Sequence, residues 1–262
     1  MLGKLAPEYD ERTIQLASYL DSTFHAPTKY DFDRSRAPFP FQDWGSTRTE
    51  SDVIAAQANQ ILRLGRIDQR RTISISGSDI TRRYRRLSKS RTNGDEKDIG
   101  VSALSAFKDW RKGWKLRDKI YSLALYGEIE PNERDLLRTA IYVFRGVHFG
   151  LWLPKAVAGN TNFWDYKGEN GPNWKPGSWG GTMAYCKAYV PEGYELLLWG
   201  RHIFASNAFI EKFCDECWVA METLDYWSQQ VLDMRKLFMV LPSVMQHIAD
   251  NNNGENEVMP QP

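Results

Sequence analysis

"MAYCKAYVPEGYELLLWGRHIF", Met183 to Phe204, is the stretch on which the fold class turns. Two apolar, aromatic-rich runs flank the turn signal "VPEGY", which is the pattern of a β-hairpin. Residues 147–153 read as a further strand, and "RRTISIS", Arg70 to Ser76, alternates in the manner of a short one. Outward from these strands the spacing is helical. "DVIAAQANQILRLG" after Ser51 sets Val53, Ala56, Ile61 and Leu64 on one face, with Gly65 as its stop, and Ser78 onward continues as a basic helix carrying Ile80, Tyr84 and Leu87. Ser102 caps a helix expected to run through "ALSAFKDWRKGWKLRDKIYSLALYG"; Pro131 and Asn132 open another, whose Leu136, Leu137, Ala140, Ile141 and Phe144 form a stripe. From Ser206 onward the chain reads as one or two long helices. The expectation is an α+β fold, a helix-rich single domain with a small antiparallel sheet. Residues 1–49 are expected to form a flexible segment with one short helix after Asp10, residues 50–249 the body, and residues 250–262 a disordered tail.

Composition limits the function classes. With 262 residues, 42% of them hydrophobic, the chain holds apolar material for one substantial core or two small ones. Three cysteines cannot close a set of internal disulfides, and "MLGKLAPEYDERT" lacks the apolar run of a signal peptide, so an intracellular, reducing compartment is expected. No window approaches the roughly eighteen uncharged apolar residues of a membrane span. The net charge of +1 conceals an asymmetry: residues 62–91 hold ten Lys or Arg against two acids, whereas Ser206 to the end holds three basic residues against nine acidic ones. One end attracts anionic polymers or lipid; the other repels them.

The basic density peaks in "RRYRRLSKSR", where Arg82, Arg83, Arg85, Arg86, Lys89 and Arg91 are candidate phosphate- or lipid-binding residues. Nuclear import and a merely solvated helix face are the competing readings. "RRLS" makes Ser88 a candidate phosphorylation site, at which a phosphate would cancel part of the local field. A second feature, "FWDYKGENGPNWKPGSWGG", sets Trp164, Trp174 and Trp179 in a Gly/Pro loop and marks them as interface aromatics, against the alternative that they fold back on the domain. Cys186, His202, Cys214 and Cys217 leave zinc an open question, with buried cysteines as the plainer reading.

Nucleotide-loop, zinc-protease and serine-hydrolase signatures do not occur. "DFD", Asp31 to Asp33, could take a divalent ion but lies in the irregular N-terminal segment, and His25, His148, His202 and His247 have no telling neighbour. No catalytic residue, metal, cofactor or small-molecule substrate is therefore expected, and the chain reads as a non-enzyme.

Taken together, "LAPEYDERT", "APFPF", the basic block and the aromatic loop resemble the matrix proteins of negative-strand RNA viruses, plant rhabdoviruses in particular. The resemblance implies a non-enzymatic structural protein of the virion that binds the anionic membrane surface and the viral nucleocapsid or RNA, and self-associates into a homo-oligomer. It also implies residence in the host cytoplasm and nucleus, with peripheral membrane attachment. The alternative is an RNA-binding nucleoprotein or silencing suppressor gripping phosphate through residues 62–91, with Tyr84 stacked on a base.

Overall fold

A computed structural model describes residues 3–31, 33, 41–67, 72–92, 95–98, 100–117, 119–160, 162–223 and 226–240. In chain order the elements begin with strands β1 (Ile14–Gln15) and β2 (Tyr30–Asp31), then helices α1 (Ser46–Thr49), α2 (Asp52–Ile67) and α3 (Gly77–Leu87). There follow β3 (Lys89–Thr92), β4 (Asp95–Asp98), α4 (Ala103–Lys112), β5 (Trp114–Leu116), β6 (Lys119–Tyr121), β7 (Leu125–Ile129), α5 (Arg134–Phe144) and β8 (Val147–Leu153). The last third holds β9 (Phe163–Trp164), β10 (Gly180–Val190), β11 (Gly193–Leu198), β12 (Arg201–Ser206), α6 (Asn207–Phe213), β13 (Cys214–Met221), α7 (Tyr226–Val231) and α8 (Met234–Val240).

Nine strands form one mixed sheet in the order β1-β7-β13-β8-β10-β11-β12-β9, with β2 also paired to β10. The eleven-residue β10 is its hub. Its first half, Gly180 to Ala184, pairs antiparallel with β8, and its second half pairs with β11 across the turn at Pro191 and Glu192. Alternate residues of the central strands feed two different cores, as the period of a strand requires. Met183, Tyr185, Leu197, Trp218 and Ala220 face the core shared with α2, α3 and α4. Ala184, Cys186, Leu196, Leu198, Cys217, Val219 and Met221 face the core shared with α5 and α6.

This architecture corrects the expectation of a helix-rich domain with a small sheet. The largest difference is β13: the region from Ser206 was read as long helices, yet only α6 is helical before "CDECWVAM" enters the sheet between β7 and β8. A strand buried on both faces shows a continuous apolar run, which periodicity alone does not separate from a buried helix. The helix capped by Ser102 ends at Gly113, whose φ of 112° breaks the helical path, and the remainder becomes the β5–β6 hairpin and β7. Residues 72–76 carry no strand. The N-terminal stretch contributes β1 and β2 to the sheet and holds a short 3-10 helix at Leu16–Ser18, and the expected tail at 250–262 lies outside the described residues. Among the described residues no helix is long and apolar enough to cross a membrane.

Candidate functional site

The long helix α2 packs along β10 and β11, and its first turn is where the two layers meet. Glu50, with φ of 55°, turns the chain sharply between α1 and α2, delivering Asp52 into the layer junction at 1% exposure. There the Thr182 hydroxyl donates to Asp52 Oδ2 at 2.9 Å, and the Trp199 indole N–H donates to Oδ1 at 3.1 Å. The two donors reach Asp52 from β10 and from the β11–β12 turn. Trp199 holds a left-handed backbone, φ 53°, beside Gly200 at 67°; positive φ at both turn residues matches the twist of the hairpin. A tryptophan in that region is strained by about 1 kcal/mol, and such strain concentrates at functional positions.

Burial pushes the Asp52 carboxyl up to about 6, and hydrogen bonds from Thr182, Ser46 and Trp199 hold it from rising further. Those hydrogen bonds come from neutral groups. The carboxyl therefore stands poised to gain or lose a proton near neutrality, at the positive end of a helix.

A second layer of contacts lies beside this pair. Residues Gly3 to Leu5 run extended between the two layers. The Lys4 N–H donates to the carbonyl of Gly181, next to Thr182, at 3.0 Å. Val101 N–H donates to the Gly3 carbonyl at 2.8 Å, and Leu5 N–H to the Val101 carbonyl at 3.1 Å. The Lys4 ammonium is buried against Glu216 at 2.8 Å and Asp215 at 2.9 Å. Burial raises the Glu216 carboxyl, with Lys4 opposing that rise.

The residues singled out in the sequence lie elsewhere. Arg83 is buried, donates to Asp109 at 2.9 Å and stacks over Trp114 at 4.1 Å; Arg86 reaches the same carboxylate at 2.5 Å. Arg82 and Arg85 are exposed, the former 3.8 Å from Asp79, and the side chains of Lys89 and Arg91 lie outside the described residues. Ser88 is 2% exposed at the end of α3, closed to a kinase in this fold. Trp164 is fully buried, its indole donating to the Asn160 carbonyl at 2.9 Å, while Trp174 and Trp179 are half-buried against Phe213 and Trp199. Two of the three indoles, those of Trp164 and Trp179, pack on Trp199 itself. Asp31 and Asp33 are held by Lys187, and Asp33 also by Arg63, so cations occupy the place a metal would need. Cys186, His202, Cys214 and Cys217 do not converge: no group of three His, Cys, Asp or Glu among the described residues is arranged to hold a metal ion.

No protein-family model matches the chain, and no curated protein sequence does so. Solved structures do. Xylellain, a cysteine protease from Xylella fastidiosa, superposes with a TM-score of 0.63 at 16% identity, covering 84% of this chain and 95% of that one. A cysteine protease of Carica candamarcensis in complex with E-64 gives 0.53 at 14% identity, covering 74% and 98%. Procathepsin L2 from Tenebrio molitor gives 0.52 at 11% identity, covering 77% and 70%.

The fold is that of the papain-like cysteine proteases. This overturns the reading of the chain as a non-enzymatic viral matrix or RNA-binding protein: the solved structures named above are those of cysteine proteases. At such identities the likeness fixes architecture, and the chemistry must come from the residues. A cysteine nucleophile needs a thiolate, favoured by a helix N-terminus and an adjacent imidazole. Here α2 opens with Ser51 and Asp52, and the thiols of Cys186 and Cys214 donate to the carbonyls of Ala188 and Glu216. Burial raises all three thiols above their ordinary range. His148 pairs with Gln60 and His202 with Glu195; among the described residues no histidine bonds a cysteine.

Sequence reasoning passed over Asp52, Thr182 and Trp199. Thr182 and Trp199 lie 130 and 147 residues from Asp52, and none of the three belongs to a recognisable signature.

Proposed function

We propose that this protein acts on polypeptide, cleaving peptide bonds at the junction of α2 and β10 with a carboxyl–hydroxyl pair in place of a thiol–imidazole pair. The observation that carries the reading is the 2.9 Å hydrogen bond from Thr182 to Asp52 at the N-terminus of the central helix of a papain-like fold. A hydroxyl within hydrogen-bond reach of a base is the arrangement of an activated nucleophile. Ionised Asp52 takes the Thr182 proton as Oγ bonds to the carbonyl carbon. The proton passes to the departing amine as the C–N bond breaks. Water, deprotonated by Asp52, then cleaves the resulting ester and returns the proton to Thr182. The N–H groups of the first turn of α2, which by helix geometry have no acceptor within the helix, are suited to hold the developing oxyanion.

The test is cleavage of unfolded protein substrates across pH 4 to 8. Activity should rise through about pH 6, where Asp52 ionises. It should be indifferent to E-64 and iodoacetamide, and fall by about 100-fold or more in Asp52→Asn and Thr182→Val. Abolition by a thiol reagent, or full activity in Thr182→Val, overturns the assignment. Binding of the substrates without cleavage overturns its hydrolytic half.

A further inference from the structure

The β5–β6 hairpin carries two cations back past α3. Lys115 is exposed on β5, and Arg117, in the turn that follows, holds a left-handed backbone with φ of 53°. Glycine or asparagine would fill that turn position without strain, so an arginine there costs about 1 kcal/mol. Arg117 and Lys115 line a cavity of about 750 Å³ together with Arg82, Arg83 and Arg86 of α3. That volume is in the range of small-molecule sites.

The cations gathered there outnumber the acids that face them. One carboxylate lines the cavity, Asp79, and it is turned to the cap of α3, accepting from the Ser76 N–H at 3.0 Å and from the Ser76 hydroxyl at 2.6 Å. Burial raises this carboxyl, but the bonds from Ser76 and the charges of Arg82 and Arg117 outweigh burial and hold it below the usual range. Arg82 touches it only loosely, at 3.8 Å. Arg83 and Arg86 share the single carboxylate of Asp109. Arg83 commits Nε to that carboxylate and Nη2 to the Ala106 carbonyl, while its buried Nη1 has no acceptor among the described residues. A buried guanidinium short of an acceptor is a source of positive field that an anion in the cavity relieves.

The kind of anion follows from the donors. Four of the five cations are guanidinium groups, whose forked N–H donors match the oxygens of phosphate. Five positive charges from two elements around one space suit a ligand with several negative charges set close together. Trp114 also lines the cavity, yet Arg83 covers its ring at 4.1 Å, and Tyr84 is 3% exposed. Neither ring offers a face to a base, so the site fits the phosphate groups themselves rather than a nucleic-acid strand.

We propose that the cavity between α3 and the β5–β6 hairpin binds a small soluble anion bearing two or more linked phosphate groups. Such a ligand ties the hairpin to α3 and stabilises the folded chain by mass action. The site shares no residue with the Asp52–Thr182 pair and stands whether or not the chain cuts peptide bonds.

The test is calorimetric titration of the full chain with inorganic tripolyphosphate at low salt, with thermal melts alongside. Binding should saturate, raise the melting temperature and exceed that of orthophosphate by about tenfold or more. Arg82→Glu and Lys115→Glu, both at exposed positions, should each weaken it by about tenfold or more. Arg85→Glu makes the same charge change on α3 but lies outside the cavity, and should weaken binding by less than about threefold. Urea midpoints close to wild type in the variants separate lost binding from lost folding. An equal loss in Arg85→Glu would mean a diffuse field rather than a built site, and overturns the proposal. Absence of saturable tripolyphosphate binding overturns it too, as does binding confined to phosphatidylcholine vesicles carrying phosphatidylinositol bisphosphate, which would place the phosphates on a lipid surface.

Discussion

Asp52 and Asp109 are both held in the helical layer, yet they behave oppositely. Asp109 on α4 is partly buried, which raises its carboxyl, but the hydrogen bond from Arg86 and the charge of Arg83 outweigh burial and bring it below the usual range. Asp52 on α2 is more deeply buried and receives only neutral donors, so it rises to about 6. The difference separates a scaffold charge from a reactive one. A carboxylate clamped by two guanidinium groups has its proton affinity removed and serves to fasten α3 to α4. One bonded by a hydroxyl and an indole keeps a proton affinity near neutrality, which is what acid–base chemistry requires.

Breaking the clamp should give the largest effect. Asp109→Asn leaves the Arg83 guanidinium, 2% exposed, without its charge partner. A buried pair broken on one side costs about 3–5 kcal/mol, to be read from urea unfolding at pH 7. A loss below about 1 kcal/mol would mean that Asp109 is no more than a surface partner.

The pH dependence of stability sharpens the other side. Folded Asp52 binds its proton more tightly than the unfolded chain does, so its contribution is fully present below about pH 4 and is lost as pH rises through about 6. The rise from 3.8 to about 6 corresponds to about 3 kcal/mol at most. His148 works in the opposite sense. Burial lowers it from 6.5 to about 3, so the unfolded chain takes the proton first, and stability is lost as pH falls from about 6.5 towards 3. The two slopes oppose each other in the wild type. Asp52→Asn should therefore unmask a stability that climbs steadily with pH between 4 and 6, measured by urea midpoints. An unchanged profile would show that Asp52 titrates as an ordinary surface carboxyl.

How far the sequence reveals these regions follows from the range of the interactions. Local signals were legible: Ser102 does cap α4 by accepting from the Ser105 N–H, and the β10–β11 turn falls at Pro191 and Glu192, inside "VPEGY". Two-sided burial hid β13, because Cys217 to Met221 supply both cores and lose the alternation that marks a strand. The basic block displayed its charge but not its counter-ion: Asp109 lies 26 residues from Arg83 and 23 from Arg86, on another helix. The pairing of Asp52 with Thr182 and Trp199 is longer in range still and carries no composition signal, since one aspartate, one threonine and one tryptophan look alike wherever they fall.

The exposed remainder of that block supplies the smallest effect and the cleanest control. Arg82 and Arg85 point outward on α3, and the 3.8 Å contact from Arg82 to Asp79 is loose and solvent-exposed. Replacing Arg82 with Glu sets a like charge at i+3 from Asp79, and replacing Arg85 sets an acid in the last turn, against the helix dipole. Each change costs a few tenths of a kcal/mol. Arg82→Glu and Arg85→Glu should therefore each stay within about 0.5 kcal/mol of wild type in thermal melts. With both charges reversed, the Asp109 clamp should hold, because Arg83 and Arg86 lie on the side of α3 that faces α4 and the two changed positions do not. A loss above about 1 kcal/mol from either substitution would join the outer arginines to the buried network, and the division between scaffold and solvent charge on this helix would have to be redrawn.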